Sequence, residues 1–507
     1  MGSKVPKSKI FLLLFMFFSA VEVLAQVDTA WVRTYNGPGN YYDTATAMVV
    51  DANGNVYVTG VSAGGGSGDD YATIKYAPNG DTLWVRRYNG PGNYHEWASA
   101  LAVDASGNVF VTGNSGGDYA TIKYASNGDT LWVRRANGSG SGAALTLDVN
   151  GNVYVTGTTV TIKYFPNGDT AWIRSNGFFG RALAVDSSGN VYVTGSIWNG
   201  TSFDYATVKY TPNGDTLWVR HYNGPGDGSD LPSRLAVDGS GNVYVTGNCF
   251  DSVTGVDYAT IKYSPDGDTL WVRRFHGPSN GGIDAAYGLA VDDGGNVYVT
   301  GVSQIVSGSF SGYATIKYAP NGDILWLRRY DGPGNSIGIG KALILDDSAN
   351  VYVTGWSVGN GTAEDCVTIK YTSNGDTIWV KRYNGPANPA GDKANTMALD
   401  DSGNVYIAGE SGISGESATL GYVTIKYVQF TCEKKPGDAN GSGGSPNLTD
   451  IIYLVNYIFK EWPATTPTCL VDVNGSGSVG DIIDLIYLIN YVYKGGPAPV
   501  KSRECCL

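Results

Sequence analysis

Apolar and polar residues alternate along most of this chain in short runs, and the runs recur as a set. An NVYVTG-type segment begins at Asn55, Asn108, Asn152, Asn190, Asn242, Asn296, Asn350 and Asn404, the last copy reading NVYIAG. A LAVD-type run precedes each copy; a variable loop, a TIKY run and a Trp-bearing run follow it. These segments are short, rich in Val, Tyr, Ile, Thr and Trp, and separated by Asn-Gly or Gly-Asn turns, which predicts antiparallel hairpins. In Val56-Tyr57-Val58-Thr59 one face is aliphatic and the other is aromatic or hydroxylic. Both faces therefore seek burial, as they do in a sheet stacked between two like sheets. Alanine at alternate positions of the LAVD-type strand (Ala102, Ala184, Ala236, Ala290) suits a crowded innermost place. The Trp strand is then outermost.

The copies lie 38 to 54 residues apart, a period that belongs to propellers and solenoids. TIKY-type strands end at Tyr76, Tyr124, Tyr164, Tyr210, Tyr263, Tyr318, Tyr371 and Tyr427, and Trp strands carry Trp31, Trp84, Trp132, Trp172, Trp218, Trp271, Trp326 and Trp379. The phase is informative. The array opens on a Trp strand with no TIKY strand before it and ends on a TIKY strand with no Trp strand after it. Pairing those two orphans removes both open edges. The expected fold over residues 26–430 is all-β, an eight-bladed β-propeller of four-stranded blades closed by the N-terminal strand. GNVYVTG followed by TIKYxxNGDTLWVRRYNGPGN resembles the bacterial SBBP-type β-propeller repeat over about four fifths of the chain. That family's name implies seven blades, against eight counted here. The NGDTLW segment is also similar to the tryptophan-docking repeat of eight-bladed quinoprotein dehydrogenases, a resemblance that implies geometry only.

Both ends depart from the repeat. Residues 1–25 place Lys4, Lys7 and Lys9 before the apolar run Ile10 to Ala20 and a small-residue site at Val23-Leu24-Ala25, the pattern of a secretory signal. Beyond Pro436, Asp438-Ala-Asn440-Gly-Ser442-Gly443 recurs as Asp472-Val-Asn474-Gly-Ser476-Gly477. Each copy precedes a helical run with one apolar face: Ile451, Leu454, Val455 and Ile458, then Leu485, Leu488, Ile489 and Val492. Oxygen donors at loop positions 1, 3 and 5, Gly at 6 and a closing Asp suit a hard cation. The duplicated segment, residues 431–498, resembles the type I dockerin module, a small α-helical EF-hand-like domain, with residues 499–507 as a tail. The resemblance implies two calcium ions held by Asp438, Asn440, Ser442 and Asp450, and by Asp472, Asn474, Ser476 and Asp484. It places cohesin contacts at Leu448-Thr449 and Ile482-Ile483. Ser at position 5 and a closing Asp one residue late lower the expected calcium affinity.

Composition narrows the function. A net charge of −12, with about −12 on the repeat region itself, argues against nucleic acid or anionic lipid as a partner. Beyond the signal no stretch is apolar enough to span a bilayer. Six cysteines are too few for a disulfide framework; Cys432 and Cys469 are the candidate pair. His95, His221 and His276 fall in or just after blade-to-blade connections of different repeats and form no spaced ligand set. The LAVD-turn aspartates (Asp51, Asp104, Asp148, Asp186, Asp238, Asp292, Asp346, Asp400) are expected to satisfy their own turns. The TIKY lysine and the Arg pair after Trp read as blade-surface charge. Any unique site must come from what differs between repeats, and the loops that differ most are 62–70, 248–256, 302–311 and 410–420.

The expected protein is secreted or cell-surface, monomeric and non-catalytic, with no catalytic residues assigned. Its propeller would bind a glycan or cell-envelope ligand, and its dockerin-like tail a cohesin-like or other extracellular protein. The alternative is a carbohydrate-active enzyme, a glycoside hydrolase or lyase in polysaccharide catabolism targeted by its dockerin. A quinone-dependent dehydrogenase is a third reading.

Overall fold

Turn chemistry punctuates every repeat. In the computed structural model, Asp51 N–H donates to Asn55 O at 3.0 Å and Gly54 N–H to Asp51 O at 2.8 Å, closing the inner hairpin. The structure describes residues 25–431, apart from 67, 137–139, 141, 280, 307–309, 334–336, 388–390 and 414–418, together with 448–460 and 482–494. A second turn, Ala77 to Asp81, closes the outer hairpin with Gly80 at φ +87°. That backbone conformation suits glycine, and a β-carbon there would stand 2.9 Å from the Trp31 indole. One residue thus serves both the turn and the packing of a neighbouring sheet.

Four antiparallel strands lie between these turns. In the first blade they are Asp43–Val50, Val56–Ala63, Asp69–Tyr76 and Thr82–Tyr88, in sequence order across the sheet. The same four-stranded unit recurs over residues 96–136, 142–175, 179–222, 231–275, 282–330 and 338–383. The fifth and sixth units are joined by a short parallel pairing of Gly255 with Gly282 and Val256 with Ile283. The last unit takes Lys393–Leu399, Val405–Gly412 and Leu420–Thr431 from one end of the array, and its fourth strand, Ala25–Tyr35, from the other. Inner strands of neighbouring blades touch around the whole circle, the eighth against the first. The LAVD-type strands line the axis, and the Trp strands form the rim.

Burial follows from this stacking. Val56, Tyr57 and Val58 are all 0% exposed, so neither face of the second strand meets solvent. A separate apolar core fills each gap between blades. Tyr57, Tyr71 and Trp84 of the first blade pack against Val109, Val111 and Ile122 of the second. The gap across the termini is filled in the same way, by Trp31, Tyr406 and Tyr422 against Val56, Val58 and Ile74.

Every inner strand carries a bulge at the same place, between Ala45 and Ala47 in the first blade, and Arg234 follows the fifth. The extra residue is Thr46, Ser99, Ala143, Arg181, Ser233, Tyr287, Lys341 or Asn395, in blade order. A bulge leaves one residue outside the ladder and re-aims its side chain.

The propeller, Val27–Gln429, is one compact unit, and a second takes in the chain from Phe430 onward. In that second unit α1 (Leu448–Lys460) and α2 (Ile482–Lys494) pack through Ile451, Leu454, Leu485 and Leu488. These are the apolar faces expected from the 3.6-residue period. No helix among the described residues is long and apolar enough to cross a membrane.

Candidate functional site

One end of the propeller is formed by the repeated turns, and its polar side chains hold the scaffold together. Asp51 Oδ1 accepts from the N–H groups of Asn53 and Asn55, and Oδ2 from Asn55 Nδ2 and the Tyr57 hydroxyl, all at 2.8–2.9 Å. Partial burial pulls the Asp51 carboxyl upward, but hydrogen bonds from Asn55, Tyr57 and Asn53 outweigh it and hold the acid below its ordinary range. Asp148, Asp186 and Asp238 repeat this balance. Clefts of about 300–480 Å³ between neighbouring turns are lined by these same residues and recur from blade to blade.

The Lys and Arg of the repeat are not blade-surface charges, as expected from sequence, but fasteners between blades. Lys75 Nζ and Trp84 Nε1 both donate to Ser126 O of the next blade at 3.1 Å, and Arg86 Nε to Gly128 O at 2.7 Å. Lys75 is 8% exposed and lies 5.0 Å over the Tyr57 ring. The second arginine works both within and between blades: Arg87 meets Asp70 of its own blade at 2.7 Å and donates to the Tyr35 hydroxyl of the eighth blade at 3.0 Å. The grip repeats from Trp31 on Pro78 O to Trp326 on Ser373 O. At the last interface the receiving turn does not exist, because the chain leaves the eighth blade without making an outer hairpin. The Gln429 side chain replaces it: Oε1 accepts from Trp379 Nε1 at 3.2 Å and Lys370 Nζ at 2.8 Å, while Nε2 donates to Gly403 O.

The opposite end carries the variable loops and the blade connections. Its buried acids anchor that framework. Asp43 accepts from Gly37 N–H at 2.6 Å and Ala63 N–H at 3.0 Å, and Asp230 and Asp284 hold the equivalent loops. Burial raises the carboxyls of Asp43, Asp230, Asp284 and Asp392 above their ordinary value, with backbone and Ser hydrogen bonds opposing. His95 meets Asp69 at 2.8 Å, and His276 Nδ1 lies 2.9 Å from Gly277 O. His221 sits inside the outer strand Thr216–Tyr222 instead of a connection. The three histidines are not brought together. Among the described residues no group of three or more His, Cys, Asp or Glu side chains is placed to hold a metal. Cys249 and Cys366 are buried free thiols.

At this end the inner strands differ most. Trp97, Phe179, Leu231 and Ile283 are exposed near the strand starts, and a cavity of about 360 Å³ is lined by Phe179, Arg181, Phe203, Leu231 and Pro232. Arg181, Arg234, Tyr287 and Lys341 stand on four consecutive inner strands, where other blades carry Ala, Ser, Thr or Asn. These positions lie outside the four loops that differ most between repeats in sequence. Aligning the repeats at the bulge would have exposed them.

In the C-terminal unit Asp450 and Asp484 are 0% exposed and occupy the first turns of α1 and α2. Leu448, Thr449, Ile482 and Ile483, which open the two helices, are all exposed. Asp438, Asn440, Ser442, Asp472, Asn474 and Ser476 lie outside the described residues, as do Cys432 and Cys469.

The Beta-propeller repeat family SBBP matches residues 83–120 and 173–204. An uncharacterized WD repeat-containing protein of Acanthamoeba polyphaga mimivirus is 23% identical over 216 residues, covering 32% of this chain; the match spans 15% of that protein. Among solved structures, the Dos1 propeller is similar at 7% identity and a TM-score of 0.53, over 78% of this chain and 95% of that one. Sqt1 from Chaetomium thermophilum is similar at 11% identity and a TM-score of 0.52, over 79% and 99%. At such identities the likeness speaks for fold alone, that of a β-propeller repeat protein with four-stranded blades.

Proposed function

We propose that this β-propeller repeat protein is an exported, non-catalytic binding scaffold, attached to an extracellular partner through a calcium-binding, dockerin-like C-terminal module. The observation that carries the scaffold reading is the fate of the repeated side chains. The turn aspartates, the TIKY lysines, the tryptophans and the first arginines are all engaged within turns or across blade interfaces, so repetition here serves rigidity. A rigid ring then presents what is unique at one end, the arrangement that suits display of a binding surface. Export rests on the charged-then-apolar pattern of residues 1–25.

The module reading is supported by two packed helices that each begin with an exposed pair followed by a buried Asp. In the proposed sites Asp438, Asn440, Ser442 and Asp450 hold one calcium ion, and Asp472, Asn474, Ser476 and Asp484 the other. Leu448, Thr449, Ile482 and Ile483 form the surface offered to a cohesin-like partner. Titrating the full chain with calcium after EDTA treatment is expected to give two binding events and a gain of helical circular dichroism. Substituting Asp450→Asn with Asp484→Asn should abolish both signals. No calorimetric heat in the unaltered protein would overturn the module, and hydrolysis or elimination of a polysaccharide by the full chain would overturn the non-catalytic reading.

A further inference from the structure

In an acidic protein, cations without partners need a reason. Arg181, Arg234 and Lys341 project from the inner strands of the fourth, fifth and seventh blades, at or beside the bulge that sets a side chain outside the ladder. Among the described residues none of the three comes within ion-pair distance of a carboxylate. By contrast Arg87, Arg135 and Arg382 each pair with an aspartate at 2.7–2.8 Å. Among the described residues the one polar contact of Arg234 is Nη1 donating to Ser233 O at 3.0 Å. Lys341 Nζ lies 4.7 Å over the Tyr287 ring of the sixth blade, so the blade between the two arginines and the lysine contributes an aromatic face to the same arc. Lys393 of the eighth blade, which comes next, is paired, with Glu364 at 3.5 Å and with Glu410 at 3.8 Å, and Glu410 also accepts from the Tyr42 hydroxyl.

The cations also feel one another. Enclosure by protein and then the field of Arg181 depress Arg234 below the ordinary arginine range, although its side chain stays open to solvent. Burial, then Arg234 and Lys393, depress Lys341, against a smaller opposing pull from Glu410. Gathering like charges in a confined space is unfavourable unless a counter-charge occupies it. Beside Arg181 the cavity of about 360 Å³ offers apolar walls from Phe179, Phe203, Leu231 and Pro232, a volume suited to a small molecule.

We infer that the axial end of the propeller is a binding site for a small organic polyanion, whose acid groups meet Arg181, Arg234 and Lys341 and whose ring or apolar body lies against Phe179 and Phe203. The planar guanidinium fork donates two parallel N–H bonds to a pair of oxygens on a carboxylate or phosphate, and a site with several unpaired cations selects ligands with more than one negative charge. Lys341 with Tyr287, and Lys393 lying 5.4 Å over Trp356, extend the same combination of cation and aromatic face around the circle. The inference builds on the propeller as a binding scaffold and is independent of the C-terminal module.

The test is isothermal titration of the full chain, in EDTA and low salt, with citrate, pyrophosphate and benzene-1,3,5-tricarboxylate. The tricarboxylate is expected to bind more tightly than citrate, and its affinity to fall as sodium chloride is raised. Pyrophosphate separates a phosphate preference from a carboxylate one. Arg181→Ala and Arg234→Ala should each weaken binding about tenfold or more, the scale of a lost charge-assisted hydrogen bond. Circular dichroism and thermal unfolding verify that both variants keep the fold. Absence of binding by all three probes, or binding that both variants leave unchanged, overturns the site. The EDTA condition keeps that outcome distinct from failure of the calcium module.

Discussion

Replacing Gln429 with Ala tests whether one side chain stands in for a whole turn. Trp379 and Lys370 are 8% and 9% exposed, and both donate to Gln429 Oε1. After truncation Lys370 keeps Asp346 at 3.8 Å, and the Tyr352 hydroxyl keeps Asp346 at 3.0 Å, but the Trp379 indole N–H loses its acceptor inside the protein. An orphaned neutral donor costs about 1–3 kcal/mol, and a lost bond from a charged donor about 1.5–3 kcal/mol. The expected loss at the interface between blades seven and eight is therefore about 3 kcal/mol or more. Gln429→Glu keeps the acceptor and should recover most of it. Hydrogen exchange read by mass spectrometry is the suitable assay, because a repeat ring opens locally before it unfolds globally. Amides of Thr377–Tyr383 should exchange about a hundredfold faster in the Ala variant, while those of Ile324–Tyr330, whose Trp326 grips a backbone turn, stay unchanged. Equal exchange of Thr377–Tyr383 in the variant and the unaltered protein would refute the substitution of side chain for turn.

Further outcomes follow from the same contacts. Gly128→Ala places a β-carbon at φ +89° and within 3.0 Å of the Trp84 ring, so a loss of about 2–3 kcal/mol is expected by urea unfolding. The turn acids Asp51, Asp148, Asp186, Asp238 and Asp292 are held below the ordinary aspartate range, so their contribution is complete above that range and is lost as pH falls through their folded values. Acid unfolding beginning below about pH 4 checks this. Asp392 behaves oppositely: its acid is raised by burial, so its ionised form is penalised in the folded state. Asp392→Asn should raise the melting temperature at pH 7 and give no gain at pH 3, because both side chains are then neutral.

Much of the propeller was legible because its information is local. Asn-Gly and Asp-x-x-Gly-Asn turns mark hairpins one at a time, and the unpaired opening and closing strands reveal how the ends meet. Alanine in the LAVD-type strand pointed to the axis for a steric reason, and the bulged inner strands lie there. The roles of Lys75 and Arg86 were not legible, because their acceptors sit in the next blade at the outer turn, some 40 to 50 residues away. Gln429 escaped notice because it has no counterpart in any repeat. Arg181, Arg234 and Lys341 were hidden for the reverse reason, since each looks ordinary in its own repeat and stands out only when eight bulges are compared. His221 was assigned to a connection because strand ends are set by pairing, and its partner is Ala206.

The account depends on the last blade being completed by the first strand, and a cross-link between the two ends of the array tests that directly. Tyr42 and Leu420 form a parallel bridge, with Leu420 N–H donating to Tyr41 O at 3.1 Å. Tyr42→Cys with Leu420→Cys should therefore oxidise to an intramolecular disulfide under mild conditions, since bridged strand partners fall within the ~4.4–6.8 Å Cα separation such bonds need. Peptide mass spectrometry of the oxidised monomer is expected to show the fragment around residue 42 joined to the fragment around residue 420. Reduced thiols at both positions, or linkage only between two molecules, would contradict closure.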